Sequence, residues 1–200
     1  MDVFEAMSTT RAMRRLDPDQ PVSDADLDRM LEAATYAASG GNMQIVRWMV
    51  VRDAAKRSAL GEVYGRCWRS VRPFYATRED DPRVARMLRS ADHLGDHMGD
   101  APVILLPCSK GEAGQVESSI FPGVQNLFLA GRALGLGTTL TTVHRLEEDA
   151  VREVLGIPAE VNTWAMIPVG HPTGRWGTPK RRPVAEVAYR DTWAEPFTTA

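Results

Sequence analysis

The segment APVILLPC, residues 101 to 108, constrains the fold most strongly because it is a short and continuous apolar run. It is too short to cross a membrane, which takes about 18 or more apolar residues, and its continuity predicts a strand buried inside a sheet. The β-branched and mostly apolar run IVRWMVVR, residues 45 to 52, predicts a second strand. Further strands are predicted in the threonine-rich part of GLGTTLTTV, residues 135 to 143, and in NTWAMIPVGH, residues 162 to 171.

Helical patterns separate these strands. Ser23 fits the N-cap of a helix because Asp26 stands at N3, and Gly156 fits the C-cap of a later helix. We predict helices over residues 2–15, 23–36, 53–70, 84–98, 121–134 and 146–155. Because strands and helices do not alternate in regular βαβ units, the pattern predicts an α+β fold.

Length, charge and cysteine content narrow the classes of function. The chain has 200 residues, enough for one domain with a sizeable core, so we expect residues 1–200 to form a single domain. A formal net charge of -2 gives no global basic field for nucleic acid. The N-terminal residues lack the charged-then-apolar order of a signal peptide, and Cys67 and Cys108 have neither CxxC nor zinc spacing. We therefore expect a cytoplasmic protein, not attached to a membrane, with both cysteines reduced and buried.

Four segments are candidates to carry chemistry, and each also has an ordinary structural interpretation. TTRAMRR, residues 9 to 15, offers forked guanidinium donors to a phosphate, or it is a solvated basic helix end. ASGGNMQ, residues 38 to 44, joins small residues that allow close approach of the backbone to two side-chain amides, or it is a flexible helix C-cap. GLGTTLTT, residues 135 to 142, lacks the GxGxxG order of a dinucleotide site. PKRRPV, residues 179 to 184, is otherwise a charged tail.

Taken in order, these segments resemble the nitroreductase family of flavoproteins. The chain has TRAMR at 10–14, where the family has an arginine helix, and ASGGNMQIV at 38–46, where it has P-S-x-x-N-x-Q-P-W. It continues with ALGLGT at 133–138, VGHP at 169–172 and KRRP at 180–183. The resemblance covers nearly the whole chain. It implies a central, mostly antiparallel sheet flanked by helices, in an intertwined homodimer with FMN sites at the subunit interface.

The resemblance also assigns cofactor contacts position by position. Arg11 and Arg14 match arginines near the phosphate and pyrimidine edge of FMN, and Ala12 stands where the family usually has serine. Arg181 matches the late phosphate-binding basic residue, with Arg182 beside it. Three further regions complete the implied cofactor-binding positions. The loop expected to serve the other subunit's flavin contains Ser39, Gly40, Gly41, Asn42 and Gln44. The turn facing the reactive edge of the flavin contains Thr139, Leu140, Thr141 and Thr142, and the late turn contains Gly170. Thr142 is the candidate neighbour of flavin N5, and no side-chain acid or base is assigned.

The implied activity is that of an FMN-dependent oxidoreductase. NAD(P)H would give hydride to flavin N5 and leave, after which an electron-poor acceptor (a nitroaromatic, a quinone or an activated alkene) would stack on the same face, giving a ping-pong mechanism. We expect residues 64–98 to form a variable, lid-like excursion over the pocket, and an extended tail from about residue 172. Aromatic residues of the excursion are candidates either to stack on a planar substrate or to pack in the core: Tyr64, Trp68, Phe74 and Tyr75.

Other interpretations of the sequence stay open. A protein that sequesters FMN with little turnover, a deazaflavin-linked relative and a dimer without cofactor are each compatible with it. TTLTT also resembles the turn of the flavin-dependent dehalogenases, although a dehalogenase lid is not evident. His93 and His97 share a helical face, and a metal there would need carboxylates such as Asp92 or Asp96. We favour a polar helix face or pocket rim and assign no metal.

Overall fold

A computed structural model describes residues 1–112 and 114–197 of the chain. Five strands form one sheet, and every pairing between them is antiparallel. The strands are β1 (Arg47–Val51), β2 (Val103–Ser109), β3 (Gly137–Thr138), β4 (Asn162–Thr163) and β5 (Ile167–Gly170). Their order is β1-β2-β5-β3, and β4 pairs with the end of β2. The predicted α+β fold with a central antiparallel sheet is confirmed.

Six α-helices and four short 3-10 helices complete the described structure. The α-helices are α1 (Val3–Thr9), α2 (Asp24–Thr35), α3 (Ala54–Ala76), α4 (Pro82–His97), α5 (Glu117–Ala133) and α6 (Glu148–Leu155). The 3-10 helices are Gly40–Asn42, Met98–Asp100, Val143–Glu147 and Val184–Glu186. The predicted caps are present: the Ser23 hydroxyl accepts from the Asp26 amide, and Gly156 ends α6 with a φ of 67°. No helix in the described ranges is long and apolar enough to span a membrane.

The sheet separates two hydrophobic layers, and β2 contributes to both. Ile104 and Leu106 pack in the layer formed with α3, α4 and α6. Val103 and Leu105 pack in the opposite layer, formed with α2 and α5. Because successive side chains of a strand point to opposite faces, the two layers explain why β2 is apolar from Val103 to Cys108, as the sequence predicted.

Helices α3 and α4 cross with their backbones in contact. A methyl group on Gly61 would lie 2.7 Å from the Gly99 nitrogen, and one on Gly65 would lie 2.9 Å from the Gly95 carbonyl oxygen. On the other side of Gly95, the indole of Trp68 is so close that a methyl group there would lie 2.5 Å from its Cδ1. The crossing therefore needs glycines, and it packs α3 closely against α4 and the 3-10 helix that follows it.

The predicted helix over residues 2–15 is wrong in its second half. The helix ends at Thr9, because the backbone of Thr10 is extended (φ -65°, ψ 127°) after its amide donates to the Ala6 carbonyl. The hydroxyls of Thr9 and Thr10 also donate to the carbonyls of Glu5 and Ala6, each at 2.7 Å. The following residues are extended, and Ala12 forms a parallel bridge with Thr138. The arginines of this segment are therefore held beside the sheet rather than on a helix.

Other predicted elements differ in extent. Helix α3 continues to Ala76 instead of ending at residue 70, and α5 begins at Glu117 instead of at residue 121. In GLGTTLTTV only Gly137–Thr138 is a strand, because the chain then turns to pair Thr141 with Met166. The predicted strand NTWAMIPVGH is interrupted between β4 and β5, where the Trp164 amide donates to the Pro107 carbonyl. The helix predicted from residue 146 begins at Glu148, after a 3-10 turn.

Candidate functional site

The arginine segment lies against β3 and forms one wall of the candidate site. The Met13 amide donates to the Thr138 carbonyl at 2.8 Å, and Leu16 bridges to Pro172. A methyl group on Gly137 would lie 2.8 Å from Met13 Cβ, so only glycine permits this approach. Two of the predicted motifs, one early and one late in the chain, are thus adjacent in the structure.

Arg14 projects from this segment toward α3, next to Tyr64. Its side chain is half-buried, and burial lowers the pKa of its guanidinium, an effect that the nearby Tyr64 partly opposes. Within the described ranges no carboxylate pairs with it. A partly desolvated cation without an acidic partner is costly, so Arg14 is a natural contact for an anionic or electron-rich ligand.

Tyr64 connects Arg14 to the threonine turn. Its side chain is only 3% exposed, and its hydroxyl is hydrogen-bonded to the side chain of Thr141. Burial raises the pKa of Tyr64, while the Thr141 hydroxyl and the Arg14 charge partly lower it, so the phenol stays protonated at neutral pH. Of the two roles that the sequence left open for Tyr64, stacking on a substrate or packing in the core, the structure has the second, because its ring belongs to the core.

The turn Thr139–Thr142 presents both buried and exposed groups beside Arg14. Thr141 is fixed by two backbone hydrogen bonds with Met166, at 2.9 and 3.2 Å. The Thr139 hydroxyl is buried and finds no partner in the part of the chain that the structure describes. Leu140 and Thr142 are exposed. The turn therefore offers one unsatisfied polar atom and an accessible edge, as expected of a surface that completes its contacts with a ligand.

The loop Ser39–Gln44 is held in an unusual backbone conformation. Gly41, Asn42 and Gln44 have positive φ values of 56°, 53° and 47°. The Ser39 hydroxyl accepts from the Gln44 amide at 3.0 Å, and the Gly40 amide donates to the Ser119 hydroxyl on α5 at 3.0 Å. Positive φ is uncommon outside glycine, so this loop is a rigid, pre-formed surface rather than a simple linker.

A pocket of about 190 Å³ lies beside this loop, between α2, β1 and α5. Ser39 and Gln44 line it together with Trp48 and Ser119. The side-chain amide of Gln44 donates to the Asn42 side-chain oxygen at 3.3 Å, so both predicted amides are in contact and exposed.

Within one chain the predicted cofactor residues form two separate groups. The arginine segment and the threonine turn lie beyond β3 at one edge of the sheet, in contact with α3. The loop Ser39–Gln44 precedes β1 at the opposite edge, on the face covered by α2 and α5. A single chain therefore does not bring all of the predicted residues to one ligand.

The remaining predicted cofactor positions are Gly170 and three arginines. Gly170 is buried, and a methyl group on it would lie 2.9 Å from Pro102 Cδ, so its glycine is already explained by packing within the chain. Arg11, Arg181 and Arg182 are exposed, and within the described part of the chain Arg181 donates only to the adjacent Lys180 carbonyl, at 3.4 Å.

The aromatic candidates of residues 64–98 divide into core and surface. The assignment of Trp68 to a substrate is corrected, because it is 6% exposed, packs against Gly95 and donates from its indole N–H to Asp92 at 2.9 Å. Phe74 and Tyr75 lie near the C-terminal end of α3, where Phe74 is 78% exposed and meets the Tyr75 ring edge-on. These two remain available to a planar ligand.

The two cysteines lie in the core, and the histidine pair of α4 lies beside the arginine segment. Both cysteines are free and buried, and burial raises the pKa of the Cys108 thiol to about 12. His93 and His97 line a pocket beside Arg14. No group of three or more metal-ligating side chains occurs within residues 1–112 and 114–197.

Comparisons with known proteins give one family model and several similar proteins. The model of the nitroreductase family matches residues 7–171. An FMN reductase (NAD(P)H) of Bacillus subtilis is 25% identical over 193 residues, covering 96% of this chain and 74% of the relative. An iodotyrosine deiodinase of Thermotoga neapolitana is 26% identical over 170 residues, covering 85% of this chain and 88% of the relative. A crystal structure from Desulfovibrio desulfuricans, in complex with FMN, has a TM-score of 0.71 and 27% identity, covering 96% of this chain and 98% of that chain.

Proposed function

The chain belongs to the nitroreductase family, and on this premise we propose that it is an FMN-dependent oxidoreductase that oxidises NAD(P)H and reduces an electron-poor acceptor. The single observation that carries the proposal is Arg14, half-buried beside the threonine turn without a carboxylate partner among the described residues. The FMN reductase relative and the FMN-bound structural neighbour support the cofactor and the donor.

The residues present fit FMN. Arg14 offers charge-assisted donors, and the orphaned Thr139 hydroxyl offers a hydrogen bond that no described residue satisfies. The accessible edge of the turn places Thr142 where a backbone or hydroxyl donor can reach a flat ligand. Arg11, Arg181 and Arg182 are exposed cations able to reach a phosphate group.

FMN supplies, when bound, the redox chemistry that links a nicotinamide donor to the acceptor. The chain binds and orients both substrates in turn at one place, so we expect ping-pong kinetics. Arg14 would hold the electron-rich edge of FMN, while Tyr64 fixes the turn through Thr141. Phe74 and Tyr75 would offer apolar surface to a nitroaromatic, a quinone or an activated alkene. Protons come from solvent, because no side-chain acid is assigned.

The site is completed by a second copy of the chain. The two groups of cofactor residues lie at opposite edges of one sheet, and a homodimer would place the loop Ser39–Gln44 of one copy against the arginine segment of the other. Exposed apolar side chains on α1 support such an interface, among them Phe4, which is 78% exposed, and Met7. The positive-φ backbone of the loop is then the surface offered across the interface.

An absorbance spectrum of the purified protein tests the function. We expect flavin bands that bleach under anaerobic conditions with NADPH or NADH and return when a quinone or nitrofuran is added. Flavin bands that neither donor bleaches would favour a sequestering protein or a deazaflavin donor. A protein that takes up no added FMN would contradict the proposal.

Reductive dehalogenation is the second candidate, and the deiodinase relative favours it. The turn Thr139–Thr142 is accessible at Thr142, as a ligand bound at its edge requires. Incubation of the reduced protein with 3-iodotyrosine separates the two candidates: iodide release faster than quinone reduction would favour dehalogenation, and its absence would remove it.

A further inference from the structure

The outer face of α4 carries a row of basic side chains. Arg86, Arg89 and His93 are spaced as i, i+3 and i+7, which places them on one face of the helix. Both arginines are exposed, and neither has an ion pair or a side-chain hydrogen bond with any residue in the described ranges. We call Arg86, Arg89, His93 and Arg15 the cationic stripe.

Arg15 connects the stripe to the candidate site. Its guanidinium donates to His93 Nδ1 at 3.1 Å, and because arginine is only a donor, neutral His93 carries its proton on Nε2. His93 and Arg14 line the same pocket of about 330 Å³, between α4 and the arginine segment. The stripe thus begins at the wall of the cofactor site and leads away from it along α4.

The acidic residues near the stripe are engaged elsewhere or face another way. Asp92 pairs with Arg72 at 2.8 Å, and Asp100 pairs with His97 at 2.7 Å. Asp96 lines a different groove, between α3 and α4. Arg86 and Arg89 therefore have no carboxylate partner among the described residues, whereas Asp100 lines the same pocket as His93.

The environment of His93 also favours an anion. Burial lowers the pKa of His93, and the charges of Arg15 and His97 lower it further, against a smaller opposite effect of Asp96 and Asp100. A nearby anion would counter the unfavourable charges. The His97 ring lies beside the His93 ring, with centroids 4.3 Å apart and ring planes tilted by 35°, and its Nδ1 contacts the Asp100 carboxylate at 2.7 Å.

We propose that the cationic stripe binds the phosphate groups of the electron donor and so selects NADPH over NADH. The inference rests on the proposed function, because it needs the nicotinamide to reach the site beside Arg14. From Arg86 to His97 the helix rises about 16 Å, a length comparable to an extended dinucleotide. With the nicotinamide at the turn, the diphosphate lies near Arg15 and His93, and the 2′-phosphate lies near Arg86 and Arg89, where guanidinium forks suit a phosphate.

Calorimetric titration of the FMN-loaded protein with adenosine 2′,5′-bisphosphate tests the stripe without turnover. We expect the bisphosphate to bind at least tenfold more tightly than adenosine 5′-monophosphate, and the double variant Arg86→Gln/Arg89→Gln to lose that difference. Arg78→Gln is the matched control, since Arg78 is an exposed arginine in the turn between α3 and α4, off the stripe. It should retain the difference.

Steady-state kinetics give the second readout. The ratio of kcat/KM for NADPH to that for NADH should fall about tenfold in the double variant and stay unchanged in Arg78→Gln. If the protein binds FMN and oxidises both donors equally, or if the double variant keeps the preference, the stripe is not a phosphate site although the proposed function stands. If the protein takes up no FMN and oxidises neither donor, the proposed function fails and the inference fails with it.

Discussion

The crossing of α3 and α4 can be tested by adding one methyl group. In Gly95→Ala the new Cβ would lie 2.5 Å from Trp68 Cδ1 and 3.2 Å from Cγ. The indole cannot easily retreat, because its N–H is bonded to Asp92 at 2.9 Å and its ring stacks on Tyr75. Overpacking of this kind costs about 1–3 kcal/mol, and the better helix propensity of alanine returns up to about 1 kcal/mol. We expect a net loss of about 1–2 kcal/mol, with Trp68 and α4 forced apart.

Urea unfolding of parent and variant measures this loss. For a domain of this size the melting temperature should fall by about 2–8 °C. Gly174→Ala is the control, because nothing lies within 4 Å of a methyl group there, and it should stay within about 0.5 kcal/mol of the parent. Adding Trp68→Phe to Gly95→Ala should cost less than the two single changes together, since the smaller ring leaves room. A Gly95→Ala protein as stable as the parent would refute the close crossing.

Further perturbations address the site and the titration of the fold. Tyr64→Phe removes the hydroxyl that is hydrogen-bonded to Thr141, and we expect FMN to bind about 0.5–1.5 kcal/mol more weakly in a fluorescence titration. An unchanged affinity would mean that the conformation of the turn does not depend on Tyr64. Arg181→Ala should weaken FMN binding by about 1.5–3 kcal/mol in calorimetry, and equal affinity would remove its assignment to the phosphate. Burial lowers the pKa of His144 to about 4, so the folded state binds fewer protons than the unfolded state near the ordinary value of 6.5. The contribution of His144 to the free energy of unfolding should therefore be fully present above pH 6.5 and be lost as the pH falls toward 4, by about 3 kcal/mol in all. Urea unfolding at several pH values checks this. A free energy of unfolding that depends on pH in the same way in the parent and in His144→Asn would contradict it. Dilution of the holoprotein should release FMN together with monomer, which gel filtration with absorbance detection would show.

Local patterns predicted much of the fold because their causes are local. The continuous apolar run of β2 requires hydrophobic packing on both faces of the sheet, and the side chains of the strand itself show this requirement. Ser23 and Gly156 mark helix ends through bonds within a few residues. The segment Arg11–Arg15 was mispredicted as helix because its structure is decided by pairing with Thr138, far along the chain.

In the candidate site, too, local features could be predicted from the sequence and contacts between distant segments could not. The motifs identified the arginine segment, the loop and the threonine turn, since each carries its own composition. The link between Arg14, Tyr64 and Thr141 could not be read from sequence, because it joins three distant segments through the packing of α3. Trp68 was assigned to a substrate for a similar reason: its burial depends on the absence of a side chain at Gly95.

The separation of the two groups of cofactor residues has a consequence for inheritance. In a homodimer with shared sites, a variant at Arg14 inactivates both sites of its own homodimer. A variant at Asn42 does the same in its own homodimer. When both chains are made in one cell, the mixed dimer has one site with both defects and one site with neither, because the groups lie at opposite edges of the sheet. Two inactive alleles would then complement each other, and co-expression with two different tags would recover active mixed dimers. If the mixed dimers were as inactive as the parents, the site would belong to a single chain.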